Sequence, residues 1–160
     1  MRRSLPGVCR GFTLIELLVS VAISGILIGA ALASYRGMSA KQQVKQAGIS
    51  LVTDLKSFQQ KASAGQKPSD CVGQLSGYRV RKIANEDTNY RMQPVCTTSS
   101  PAEKTINLPE GITFQTDTFD LFFPVLGGLV TGAQTIIVEK DSYRYQVTIE
   151  AFGVIRGEML

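Results

Sequence analysis

Phe12-Thr13-Leu14-Ile15-Glu16-Leu17-Leu18-Val19-Ser20-Val21-Ala22-Ile23-Ser24-Gly25-Ile26-Leu27-Ile28-Gly29-Ala30-Ala31-Leu32-Ala33 is the stretch on which the fold turns. Apart from Thr13, Glu16, Ser20 and Ser24 every residue in it is apolar or glycine, and Glu16 is its single charge. As a helix rising ~1.5 Å per residue it is about 33 Å long, which matches a hydrocarbon core of roughly 30 Å. Arg2, Arg3 and Arg10 precede it. Three readings share these features: a secretory signal peptide cut at the small-x-small step Ala31-Leu32-Ala33, an ordinary anchor, and a retained segment that uses its carboxylate. Burying that carboxylate in a bilayer costs on the order of 2.5 to 3.5 kcal/mol. A discarded signal has no use for it.

Beyond Ala33 the apolar pattern continues with a changed period. Val44, Ala47, Leu51, Leu55, Phe58 and Ala62 recur at three- and four-residue steps, with Lys41, Gln43, Lys45, Lys56, Gln59 and Lys61 on the other faces. One long helix is expected, apolar in its first half and amphipathic in its second, stopping at Ala64-Gly65 ahead of Lys67-Pro68. The remaining chain alternates like strands at 77–83, 90–96, 105–108, 112–115, 121–125, 135–139 and 143–152, with a short run at Val154-Ile155. Turn residues separate them, and Lys140-Asp141-Ser142 marks a hairpin. Consecutive short strands favour an antiparallel sheet, its apolar face on the helix stripe. The expected class is α+β. Tyr143, Tyr145, Val147, Phe119, Leu121 and Phe123 are expected in the core.

Composition narrows the function. The 160 residues include 17 Lys+Arg, 13 Asp+Glu and three cysteines, with no histidine. The commonest general base and metal ligand is therefore absent, and a thiolate-only zinc site would need a fourth cysteine. No nucleophile–base pair or phosphate loop is present, since Gly127-Gly128 lacks the lysine and helix of a phosphate cradle. Neither an enzyme nor a cofactor is expected.

Gly11-Phe12-Thr13-Leu14-Ile15-Glu16-Leu17-Leu18-Val19, behind a basic leader, resembles the class III signal of type IV prepilins and type II secretion pseudopilins. The resemblance implies a pilin fold and four regions: leader 1–11, transmembrane and filament-core helix 12–34, amphipathic helix half 35–64, and β-sheet head 65–160. It implies cleavage by a prepilin peptidase between Gly11 and Phe12, N-methylation of Phe12, and Glu16 as the assembly glutamate, pairing with the N-terminal amine of a neighbouring subunit. Misregistered subunits would leave both charges unpaired. The partners implied are the peptidase, other pilin or pseudopilin subunits and the inner membrane, crossed once with the N-terminus in the cytoplasm and the head outside. Charge counting does not set that orientation, because Arg36, Lys41 and Lys45 balance the leader arginines. Gly25 and Gly29 have the spacing that lets helices approach closely. Many pilins carry proline where Ala33 stands here. More loosely, Leu108-Pro109-Glu110-Gly111-Ile112 and the C-terminal hairpin resemble the minor pseudopilin group GspH/FimT, which leans toward a minor subunit.

In an exported head Cys71 and Cys96 read as one disulfide closing a 25-residue loop, while Cys9 lies in the leader. Two alternatives stand beside the structural reading: a secreted domain with an ordinary signal peptide, and a minor pilin that captures DNA. The second would use Arg79, Arg81, Lys82 and Arg91, with Arg79 and Arg81 on one strand face, together with Arg156 in Gly153-Val154-Ile155-Arg156. That sequence lacks the first arginine of the group's Gly-Arg-x-Arg motif. A solvated sheet face is the plainer account of the cluster. Residues 34–91 carry 10 basic and 4 acidic residues, a net of +6, and residues 92–160 carry 4 and 8, a net of −4. A head polarised in this way is expected to favour contacts between subunits.

Overall fold

The computed structural model describes residues 12–160, with the side chains of all but residues 30–36. The leader 1–11, with Gly11 and Cys9, lies outside the described residues. A single helix, α1, covers Leu14–Ser63. The chain divides into two compact units, 1–38 and 39–160.

Within the second unit α1 has the expected stripe, for Val44, Ala47, Leu51, Leu55, Phe58 and Ala62 are all buried. Its end follows from Gly65, whose φ of 61° suits a residue without a Cβ. The Gly65 N–H donates to the Ala62 carbonyl and the Gln66 N–H to the Lys61 carbonyl, both at 2.9 Å. This pair of bonds satisfies carbonyls that the helix end would otherwise leave open.

Eight strands follow: β1 Leu75–Lys82, β2 Asn89–Cys96, β3 Lys104–Asn107, β4 Thr113–Phe114, β5 Phe119–Pro124, β6 Thr135–Lys140, β7 Tyr143–Ile149 and β8 Ile155–Met159. The single sheet expected from the sequence is corrected to two four-stranded antiparallel sheets, ordered β3-β2-β1-β5 and β4-β6-β7-β8. Alternation shows which side chains turn inward but not which strands pair, and β1 takes the distant β5 as a neighbour. The β6–β7 hairpin turns through Asp141 and Ser142, with Asp141 at φ 54°.

One core joins the helix stripe to the inner faces of both sheets, including Tyr78, Val80, Tyr90, Phe119, Leu121 and Phe123 from the first and Phe114, Val138, Tyr145, Val147 and Ile149 from the second. Of the aromatic residues expected inside, Tyr143 is only partly buried. Most strand limits lie within two residues of expectation, and two differ more. β7 stops at Ile149, where a turn closed by the Gly153 N–H on the Glu150 carbonyl leaves Phe152 exposed. β8 runs on to Met159 through Arg156-Gly157-Glu158, which have no apolar alternation and pair through the backbone.

Candidate functional site

The apolar helix segment is built from residues that cannot be satisfied by water. Phe12 is 77% exposed, and Leu14, Ile15, Leu17, Leu18, Val21, Ile26 and Leu27 are exposed as well. A helix that is apolar on every side belongs in lipid or among other helices. Among the described residues no helix is long and apolar enough to cross a membrane. The apolar run counted on the sequence continues through residues 30–33, whose side chains fall outside the description.

The polar residues of this segment differ in one respect. Thr13 caps the helix, its hydroxyl accepting from the Glu16 N–H at 3.3 Å. Ser20 donates to the Glu16 carbonyl at 2.7 Å and Ser24 to the Ser20 carbonyl at 2.8 Å. Each hydroxyl is thus satisfied by its own helix. The Glu16 carboxylate makes no hydrogen bond or ion pair among the described residues. Thr13 as a cap was legible as the Thr-x-x-Glu capping pattern. Only the hydroxyl half of that motif forms, which leaves the carboxylate free. Where a Cβ would stand on Gly25 or Gly29 nothing lies within 4 Å, so the notch is open in the single chain.

A family model described as the prokaryotic N-terminal methylation motif matches residues 8–32. That segment is similar to the N-terminal signal of type IV prepilins and pseudopilins. No curated protein and no solved structure matches it. The α+β architecture, a long N-terminal helix followed by antiparallel sheets, agrees with the pilin fold.

In the unit Ser39–Leu160 the basic candidates lie as follows. Arg79 and Arg81 do share the outer face of β1, and Arg91 stands opposite Arg81 on β2. Each meets a carboxylate: Arg79 meets Asp120 at 3.3 Å, Arg81 meets Glu103, and Arg91 meets Glu86 at 2.6 Å and Glu103 at 3.6 Å. Arg156, on β8, lies 3.9 Å from Glu150. Lys82 belongs to the opposite face. Its side chain is fully buried and its Nζ is held by Asp87 at 2.8 Å and by the Asp117 carbonyl. Phosphate contacts need cations that can exchange counterions for the ligand. Here the outer-face cations are already paired and Lys82 is sealed inside.

The same pairs join the polarised halves of the chain. Arg79, Arg81 and Arg91 come from the basic half and Asp120 and Glu103 from the acidic half, so folding brings the opposite charges together within one chain. Cys71 and Cys96 are joined as a disulfide, tying the segment after α1 to the end of β2. Tyr78 donates to the Gln66 carbonyl at 2.6 Å and Tyr90 to Asp54 on α1 at 2.5 Å. Burial raises both phenol pKa values, and for Tyr90 the Asp54 bond and charge add to it. Among the described residues no group of three or more carboxylate or thiol side chains is placed to hold a metal.

Proposed function

We propose that this chain is a prepilin whose leader is cut after Gly11, whose new N-terminal Phe12 is methylated, and whose mature form assembles through its N-terminal helix into a type IV pilus or a type II secretion pseudopilus. The observation that carries the reading is the unpartnered carboxylate of Glu16 in a segment where every other polar side chain is satisfied. A carboxylate left free inside an apolar helix needs an external cation, and the new N-terminal amine of a neighbouring subunit supplies one. Before assembly the helix rests in the inner membrane, N-terminus inward. The role is structural, without enzymatic activity. The looser likeness of the C-terminal third to the GspH/FimT group favours a minor component.

DNA capture by the head is the weaker reading, because Arg79, Arg81 and Arg91 are paired with carboxylates and Lys82 is buried, which leaves Arg156 alone of the expected cluster. The deciding experiment is co-expression of the full chain with a prepilin peptidase and mass analysis of the product. A mature chain beginning at N-methylated Phe12 is expected. One beginning at Ser34 would overturn the assignment in favour of an ordinary signal peptide.

A further inference from the structure

β8 is the outermost strand of the second sheet and pairs with β7 alone. Two bonds fix how its backbone is turned: the Leu160 N–H donates to the Arg144 carbonyl at 3.0 Å and the Glu150 N–H to the Val154 carbonyl at 2.9 Å. In an antiparallel ladder hydrogen-bonded and non-bonded pairs alternate. Residues 156 and 158 therefore direct their N–H and C=O groups to β7, and Ile155, Gly157 and Met159 direct theirs away from it. A row of unpaired donors and acceptors is a template for another strand. Arg156, Gly157 and Glu158 are exposed, and a groove of about 650 Å³ runs beside the edge, with Val52 and Lys56 of α1 along it. Packing against β7 keeps position 157 a glycine, because a Cβ there would fall 2.5 Å from the Tyr145 hydroxyl.

The sequence of the strand indicates its partner. We propose that β8 is a homotypic docking edge, on which a second copy of this chain pairs antiparallel about Gly157 to make one continuous eight-stranded sheet. In that register Ile155 lies opposite Met159 of the second copy and Gly157 opposite Gly157, each through its outward-facing backbone groups. Arg156 lies opposite Glu158 in the close, non-bonded pairs, twice by symmetry. Adjacent registers that keep the hydrogen bonds fail. Centring the pair on Arg156 sets two arginines against each other, and centring it on Glu158 sets two glutamates. Arg156 is held only at 3.9 Å by Glu150, and Glu158 forms no ion pair among the described residues, so both charges are available. The inference does not depend on how the N-terminus is processed.

The test uses the full chain in detergent micelles, as two differently tagged variants, Arg156→Cys and Glu158→Cys. Mixed under mild oxidation they are expected to give a disulfide-linked dimer mapped to positions 156 and 158, at least about tenfold more than either variant alone. No mixed product overturns the proposal, leaving the edge to a strand of a different protein or to none. Equal linking in the single variants also overturns it, because association would then come from elsewhere, such as the apolar helix. Charge reversal gives a second readout by sedimentation: Arg156→Glu weakens the dimer on the order of tenfold and Arg156→Glu with Glu158→Arg restores it. Reversal without effect, or a swap without restoration, counts against the register.

Discussion

Tyr90 shows how a single buried hydroxyl joins helix to sheet. Its ring sits in the core, edge-on to Phe114 with centroids 6.1 Å apart, and its hydroxyl reaches Asp54 on α1 at 2.5 Å. Tyr90→Phe keeps the ring and removes the bond, leaving a partly buried carboxylate without its donor. Urea unfolding is expected to show a loss of about 1 to 3 kcal/mol. Burial and Asp54 together hold the phenol neutral well beyond its ordinary pKa of 10.0. The unfolded chain therefore releases this proton first, so the stability is complete below that pH and falls as pH rises past it. Comparing unfolding at pH 8 with unfolding above pH 10 should show a smaller alkaline loss in Tyr90→Phe than in the parent chain. An equal loss in both would assign the alkaline sensitivity to other groups. Lys82 is the contrasting residue. Alternation sets it on the face opposite Arg79 and Arg81, against its expected place among the phosphate contacts, and nothing local in the sequence marks Asp87 and the Asp117 carbonyl as its partners there.

At the level of elements, what could be read from the sequence depended on how local its cause was. The helix stripe from Val44 to Ala62 and the stop at Gly65 follow from three- and four-residue spacing and one left-handed residue, all contained within a few turns. The division into two sheets depends on β1 choosing β5 across some forty residues, and alternation carries no record of that choice. β8 is longer than the expected run at Val154-Ile155 for a related reason: Arg156-Gly157-Glu158 enter the sheet by backbone pairing, without apolar side chains. Two predictions test the local causes. Gly65→Ala forces a Cβ into a φ of 61° and is expected to cost about 1 kcal/mol in thermal or urea unfolding, with no change in the sheet signal. Replacing Cys71 and Cys96 by serine removes the link across 25 residues and is expected to lower stability by about 3 to 4 kcal/mol on the chain-entropy account. If the double variant unfolds at the parent's denaturant midpoint, the bridge does not constrain the unfolded head.

At the scale of the whole molecule, the charges and the apolar helix have separate tasks. Read along the chain, the head is positive then negative, but in the fold Arg79 meets Asp120, and Arg81 and Arg91 share Glu103. These pairs leave less net field for one head to offer another, and exposed pairs of this kind contribute little each. The apolar segment of α1 differs, because among its described residues Glu16 alone has a polar side chain without a partner. Stability and assembly should accordingly separate on substitution. Glu16→Gln keeps the size and helix-forming tendency of the side chain and lies outside the compact unit of residues 39–160, so the head should unfold at the parent's midpoint. The neutral amide gives a neighbour's N-terminal amine no opposite charge and removes the penalty that rejects wrong registers. In cells that make the cognate assembly machinery, the variant should still be cleaved before Phe12 and remain in the membrane fraction, yet be depleted at least about tenfold from sheared filaments, the effect of losing one paired charge in an apolar setting. Incorporation at the parent's level would show that the carboxylate is a tolerated charge near a helix end and that recognition between subunits lies in the head.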